Sequence, residues 1–553
     1  MTIMSMCGSE RGDLELTDKE NCGKNENGKS SYNCGQNLLN YVVEFCNNGT
    51  IHGIRYFGEY RTWIEKLWWG VSISLSLYFC VSLIIQTYIK WETSPVIVSF
   101  ATKETAVWQI PFPAVTICPE SKTRASVFNY TYYFRKKRNN EPLTEEEERR
   151  FGYLSFICDT KPNIEYKAPK FAGEEMLEFL DEAQPKFLEN SFDCRFMGIE
   201  YNCSELFVPI FTDDGICYTF NIVDRTQLLH DIVIHYKNFH KTKVAHDWTL
   251  EDGYVSSAGI DAYPRRALRA GVPFSLEIKM SVDVDDLDYT CGKTSVKGFK
   301  VQISHPQRMP RVRHQHFVVP LEHLAKARIA PDMMTTSAEV KQYKPKKRNC
   351  HFPSERGLKY FKKYSKSNCA LECFANFTMI RCGCVPYYAP REKGMPLCGG
   401  GSLRCLEEAQ KYQLRGNLEK KFDALNNRKT HSDIPNCRCY PICTSMYYDI
   451  ENTQTSWDWR TTYKYNDDER VNISDSKKKM SMLQVFFKRN QFIYSERNEL
   501  YGTTDLLANV GGLLGLFVGF SALSLVEIIY YLTLRIICNV AMFGRKNWSG
   551  TMH

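Results

Sequence analysis

The sequence predicts a membrane protein with two transmembrane helices and a large disulfide-rich α+β extracellular domain between them. Three observations carry this fold class. Two apolar runs lie near the ends of the 553-residue chain: Leu67 to Ile89, without a charge, and Leu506 to Leu534, with one acid, Glu527. Each exceeds the roughly 20 apolar residues that cross the hydrocarbon of a bilayer. Sixteen of the 22 cysteines lie between the runs, an even number that suits disulfides in an oxidising compartment. Four N-glycosylation sequons fall in the same stretch, at Asn129, Asn202, Asn376 and Asn472.

Charge sets the orientation. Arg55, Arg61 and Lys66 precede the first run, and Arg535, Arg545 and Lys546 follow the second. Positive charge at these ends places both tails in the cytosol. The chain then divides into a cytosolic tail (1–66), a first span (67–89), an extracellular domain (90–505), a second span (506–534) and a second cytosolic tail (535–553). The sequons at Asn48 and Asn547 lie on the cytosolic side and should stay unmodified. The first residues lack an apolar core, so the first span is expected to act as its own signal anchor. A two-span protein partnered by the lipid bilayer of the plasma membrane is neither a soluble enzyme nor a nucleic-acid binder. The net charge of +8 reads as membrane-flanking and surface lysines.

Along the chain, the first 50 residues read as a disordered tail, with order beginning near Tyr41. From Trp91 to Glu120 the pattern alternates and is β-branched, as a strand leaving the membrane does. Residues 120–190 carry helical patterns in EPLTEEEERRFGYL and GEEMLEFLDEA. VPFSLEIKMSVDV and GFKVQISHP are strand candidates. The acids Asp283, Asp285, Asp286 and Asp288 lack calcium-loop spacing and read as a solvated turn. From Cys350 to Cys443 the chain is cysteine-dense and reads as loop-rich. MSMLQVFFKRNQFIYSE then alternates as a strand returning to the second span. No nucleophile, metal-ligand or phosphate-cradle constellation stands out, so no enzyme activity, cofactor or metal is expected.

The second span is more than an anchor. Gly511, Gly515 and Gly519 recur every four residues and line one helix face, where backbones approach closely. Gly519-Phe520-Ser521 would let carbonyls and a hydroxyl face a shared axis, where an ion exchanges hydration water for protein oxygen. Glu527, about two turns further on, is a costly carboxylate within a span unless it faces water or a partner. Repeated around a symmetric pore, it makes a ring of negative potential that favours cations.

These residues resemble the degenerin/epithelial sodium channel family, with the insect pickpocket branch as the best fit. FPAVTIC (Phe112 to Cys118) resembles its signature after the first span, and Gly519-Phe520-Ser521 its Gly-x-Ser selectivity tract. Glu527 follows that serine at the family's spacing. His52-Gly53, preceded by FCNNGT, resembles the cytosolic His-Gly gating motif. The four motifs occur in order over nearly the whole chain from Tyr41.

The resemblance implies a homo- or heterotrimer with related subunits, its second helices lining the pore, including Asn509, Gly511, Gly515 and Glu527. It implies an outer domain of palm, finger, thumb and knuckle around a β-ball, sodium as the permeant ion, and block by amiloride-like compounds. His52 and Gly53 would lie on a re-entrant segment. It also implies the pairs Cys350–Cys443, Cys369–Cys439, Cys373–Cys437, Cys382–Cys405, Cys384–Cys398, Cys118–Cys217 and Cys194–Cys203, leaving Cys158 and Cys291 for each other. Phe520 stands where many relatives have a small residue, so its ring must point away from the pore axis. Asn509 stands where acid-sensing channels carry Asp, which weakens a proton-gated reading. The expected function is a non-voltage-gated sodium channel subunit, opened by a ligand, osmotic stress or force and serving a sensory role. An ATP-gated trimeric channel and a non-conducting two-span receptor are the rivals. Topology has a direct check. Glycosidase-sensitive mass should map to Asn129, Asn202, Asn376 and Asn472, and glycan on Asn48 or Asn547 would reverse the orientation.

Overall fold

The structure, a computed structural model, describes residues 34–94, 96–158, 167–234, 236, 239, 244–288, 290–291, 297–426, 437–466, 477–544 and 548–550. The sequons at Asn472 and Asn547 and the cations Arg545 and Lys546 lie outside the described residues. The chain divides into two compact units. One comprises the residues up to Ile97 together with those from Glu499 on; the other is Val98–Asn498.

The first unit is helical. A helix over Cys34–Asn48 begins ahead of Tyr41, inside the stretch read as a disordered tail. The correction has a physical source: Tyr41 and Phe45 pack on Tyr531 at the far end of the chain, which local composition cannot report. The first apolar run becomes one helix, Trp63–Thr93, of 31 residues. At 1.5 Å per residue it is about 46 Å long, more than the hydrocarbon thickness. The second run is three helical pieces, Thr503–Val518, Ala522–Leu532 and Leu534–Phe543. The last continues past Leu534 because Ile536-Ile537-Cys538 and Val540-Ala541-Met542 keep the chain apolar until Gly544, which turns left-handed at φ 76°. Trp63–Thr93 and Ala522–Phe543 are each long and apolar enough to cross a membrane.

The second unit is built on two sheets. The larger has eight strands in the order Val96–Phe100, Ser495–Glu499, His323–Thr336, Lys478–Phe487, Leu276–Asp283, Ser191–Phe196 and Ile199–Tyr201, with Ser445–Ser456 also on His323–Thr336. The smaller has five: Phe317–Pro320, Gly298–Ser304, Ala114–Pro119, Gly215–Phe220 and Phe207–Thr212. The segment expected to leave the first span as one strand is broken into Val96–Phe100, Thr105–Ala106 and Ala114–Pro119. Pro111 and Pro113 carry no amide hydrogen to donate to a ladder, which accounts for the gap before Ala114. The returning segment is likewise three strands: Lys478–Phe487 and Ser495–Glu499, both running parallel to His323–Thr336, and between them Gln491–Phe492, which pairs with Thr105–Ala106.

Phe112, at the head of FPAVTIC, ties the two sheets together. It is fully buried, and its ring meets Phe196 and Phe487 of the larger sheet and Phe220 of the smaller edge to face, with centroids 5.3, 5.4 and 6.0 Å away. Each such pair adds about 0.5–1.5 kcal/mol to burial, and truncating a buried Phe costs about 3–5 kcal/mol.

A second apolar cluster lies among the helices Tyr130–Arg138, Glu145–Leu154 and Glu175–Ala183 and the cysteine-dense segment. Thr144 and Glu147 form the capping box that starts Glu145–Leu154. The cysteine-dense segment, expected to be loop-rich, contains long helices over Lys366–Cys382 and Leu403–Leu425. In Lys366–Cys382, buried residues occupy most of the circumference, so no apolar stripe of period 3.6 advertised it. Its caps are visible in hindsight: the Ser365 hydroxyl accepts from the Asn368 amide, and Gly383 ends the helix at φ 74°. Five disulfides join this region: Cys350–Cys443, Cys369–Cys439, Cys373–Cys437, Cys382–Cys405 and Cys384–Cys398. Cys118–Cys217, Cys158–Cys291 and Cys194–Cys203 bridge elsewhere. The acids near 285 are only partly a solvated turn, since Asp288 is buried and accepts from the Thr131 amide and hydroxyl.

One edge of the smaller sheet buries charge. Asp214, in the turn between Phe207–Thr212 and Gly215–Phe220, is paired with Lys122. Lys300 stands 3.2 Å from Asp214 and 3.3 Å from Glu120. Burial pushes the Asp214 carboxyl up, but Lys122, Lys300 and Arg313 more than offset it and bring it down to about 2. Burial pulls the Lys122 ammonium down, with Asp214 opposing and Lys300 adding to the fall. The sign for Asp214 follows from its lowered value. Its contribution to stability is present above the ordinary carboxyl value of 3.8 and is lost as pH falls from there towards 2. Asp214→Asn should destabilise the unit Val98–Asn498 by about 3 kcal/mol, because it strands a buried cation. The protein's thermal midpoint should drop, and the variant should lose less stability than wild type between pH 4 and 2.

Candidate ion-conduction segment

Gly519-Phe520-Ser521 interrupts the second span. Thr503–Val518 ends because Gly519 adopts φ +65°, a left-handed conformation that costs glycine nothing. Ending a helix at membrane depth strands its last carbonyls, and lipid offers them no donor. Here the protein supplies the donors. The amides of Gly519 and Phe520 turn back to the carbonyls of Gly515 (3.0 Å) and Leu514 (3.2 Å). The Ser76 hydroxyl, from the first-span helix, donates to the Phe517 carbonyl at 2.6 Å. The His52 amide donates to the Val518 carbonyl at 3.2 Å.

The lower helix restarts with a reciprocal cap. Ser521 is extended, and its hydroxyl accepts from the Ser524 amide while the Ser524 hydroxyl accepts from the Ser521 amide, both at 3.2 Å. A serine at this position thus starts a helix, worth about 1 kcal/mol over alanine, besides offering oxygen.

His52 and Gly53 sit on the turn that follows the helix Cys34–Asn48 and precede the short turn Arg55–Gly58. A Cβ on Gly519 would overlap the His52 ring, so the missing side chain at 519 is the space the imidazole occupies. Gly53 has φ +86°, and a Cβ there would lie 2.9 Å from Ile73 Cδ1 on the first-span helix. Tyr56 stacks on Trp69 of the same helix at 4.1 Å.

Nearly two turns below the restart, Thr50 donates to Glu527 Oε2 from both its amide (3.1 Å) and its hydroxyl (2.8 Å). The Thr50 hydroxyl also lies 2.8 Å from that of Ser524, which is fully buried. Lower still, Arg535 pairs with Glu44 at 2.7 Å, and the Tyr41 hydroxyl donates to the Tyr531 carbonyl. Phe45 meets the Tyr531 ring edge-on at 5.2 Å. Glu527 is therefore a hydrogen-bonded carboxylate and not a bare one.

Asn509 is exposed, its amide donating to the Asp505 carbonyl at 2.9 Å. Gly511 has open space where a side chain would be, and Gly515 has only the Phe520 carbonyl oxygen at 4.0 Å. The glycine face is thus left uncovered within one chain. Thr50, Ser76 and Ser524 were missed by sequence reasoning. Ser524 carried a signal, since Ser521-x-x-Ser524 has capping-box spacing; Thr50 and Ser76 carried none.

A family model described as "Amiloride-sensitive sodium channel" matches residues 45–531. The chain belongs to the amiloride-sensitive sodium channel family. Among proteins of known name, it is similar to pickpocket protein 28 of Drosophila melanogaster, 30% identical over 515 residues that cover 90% of this chain and 79% of that one. It is also similar to the sodium channel protein Nach of the same fly, 25% identical with 88% and 86% covered. Human acid-sensing ion channel 2 is 24% identical, with 88% and 85% covered. The match to this amiloride-sensitive sodium channel family starts at Phe45, so it takes in the turn carrying Thr50, His52 and Gly53, and it ends at Tyr531, below Glu527.

Gly519→Ala should abolish current at normal surface density, by overlap with His52 and by the cost of a left-handed alanine. Gly53→Ala should lower open probability with surface density near normal. Whole-cell current beside surface biotinylation measures both, and unchanged current in either variant would remove that glycine from the conduction machinery.

Proposed function

We propose that the chain is a subunit of a trimeric, non-voltage-gated sodium channel of the plasma membrane, with both termini cytosolic. In this reading a ligand, osmotic stress or force acts on the outer domain, and the channel serves a sensory role. The carrying observation is the break at Gly519-Phe520-Ser521 beside an uncovered glycine face at Gly511 and Gly515. Three copies facing one axis would bring backbone carbonyls and the Ser521 oxygen close together, and a small hard cation sheds water only where replacement oxygens are closely held. A membrane anchor has no use for a helix break whose stranded carbonyls are met by Ser76 and His52.

Glu527 has two jobs in this reading. Its charge adds to a ring of negative potential below the constriction, and its Oε2 holds the Thr50 turn in place. The outer domain, stiffened by its disulfides, carries the stimulus to the spans without being deformed by it.

The test is voltage clamp of oocytes expressing the chain, with acid, hypo-osmotic solution and candidate ligands applied in sodium or potassium. Ser521→Ala and Ser521→Cys should shift the bi-ionic reversal potential. Glu527→Gln should lower unitary conductance more than it moves that potential. If all three keep wild-type reversal potential and conductance, the segment is an anchor and the chain a non-conducting receptor. Current gated by ATP would favour the purinergic-type alternative.

A further inference from the structure

We propose that the turn from Lys341 to Arg348 is a docking site for a sulfated polysaccharide outside the cell; this rests on the orientation in which Val98–Asn498 is extracellular. The stretch KQYKPKKR carries five cations and no acid in eight residues, the composition of a polyanion-binding patch. It follows the strand His323–Thr336 as two single turns, Ala338–Lys341 and Pro345–Arg348, closed by Asn349 at φ 54° and by the Cys350–Cys443 disulfide.

The five cations divide by job. Arg348 is buried and points inward, donating to the Lys341 and Tyr343 carbonyls and to the Glu355 carboxylate. Glu355 in turn accepts from the Phe352 amide at 2.8 Å. One guanidinium therefore fastens the turn from within. Lys341, Lys344 and Lys346 stay exposed, and among the described residues none of the three has an ion pair. Lys347 lies over the Tyr343 ring, 4.9 Å from its centroid. Besides Glu355, which Arg348 holds, the acids near the turn include the exposed Glu339 and Glu251, whose carboxyl feels Lys363 and Lys341.

A second basic run in the same unit shows what neutralised charge looks like. Arg135 to Arg138 is followed by the four glutamates that open Glu145–Leu154. Lys137 is bonded to Glu148, and Lys136 feels Glu147 and Glu141. The two runs have similar charge in sequence and different fates in the fold.

The rigid turn selects the ligand. A single anion gains little from one exposed, solvated lysine. A polymer with a sulfate every few ångströms engages several lysines at once, and the fastened turn spares the backbone share of the ordering entropy on binding. Such binding weakens steeply with salt.

The experiment uses the full-length channel, purified in detergent, with heparin as the sulfated probe, desulfated heparin as its control, and phosphatidylserine vesicles. Wild type should bind heparin and release it as salt rises. K341Q/K344Q/K346Q should weaken heparin binding about 10-fold at physiological salt. K341R/K344R/K346R should retain it, and R135Q/K136Q/R138Q, which removes the same charge, should change it less than about 2-fold. Equal loss in both glutamine variants would reduce the effect to net charge and overturn the proposal. So would undiminished binding of desulfated heparin, or a variant effect on vesicles without one on heparin. Labelled heparin on intact cells reads the orientation separately: binding by purified channel but not by cells overturns the extracellular location. Sodium current, recorded in parallel, can fail without touching the binding result.

Discussion

Everything about the second span follows from one constraint: inside lipid, a broken helix must find hydrogen-bond partners for its own backbone. Gly519 allows the break, and the break immediately creates a demand for donors at the Phe517 and Val518 carbonyls. The Ser76 hydroxyl answers one and the His52 amide the other. The first helix and the N-terminal turn are therefore tied to the break by the chemistry of stranded carbonyls as well as by apolar contact. The lower helix meets the same problem at its start with the Ser521–Ser524 cap. A hydrogen bond left unmade here costs several kcal/mol, so the turn carrying Thr50 and His52 cannot leave without either replacing those bonds or changing the break. In the channel proposed above, that coupling would make the turn a gate.

The unit Val98–Asn498 solves a different problem, joining two sheets and a set of helices without one continuous layer. Phe112 does this with three edge-to-face contacts on strands of both sheets. The Cys118–Cys217 bridge stitches adjacent strands of the smaller sheet nearby. Around Asp214, buried charges are kept only because each faces several partners. The arrangement is costly to desolvate, yet removing one member costs more than the network gains.

Much of this was legible in the sequence, for reasons that differ by element. The spans announce themselves by length and composition. Glu145–Leu154 is written in its cap, Thr144-x-x-Glu147, and Leu276–Asp283 and Gly298–Ser304 in their alternation. The long helix Lys366–Cys382 was hidden because burial nearly all round erases the period that marks an amphipathic helix. The Cys34–Asn48 helix was hidden because its partners, Tyr531 and Arg535, are almost five hundred residues away. At the site, the glycines and Glu527 stood out as exceptions to span composition. Thr50 and Ser76 did not, since a hydroxyl beside an apolar run looks ordinary until the fold shows which carbonyl or carboxylate it reaches.

The space above His52 has a consequence for how such a chain can change over time. The imidazole fills the volume that a side chain at 519 would need, so the two positions form a single lock with two halves. A larger residue at 519 needs the ring at 52 to shrink or swing aside and still carries the strain of φ +65°, and a bulkier ring at 52 has nowhere to go while the backbone at 519 keeps its turn. Position 519 is therefore closed to side chains twice, by the ring and by its own backbone angle, whereas position 52 is closed only to growth. Lineages descending from this chain should keep the glycine even where the ring at 52 gives way to something smaller.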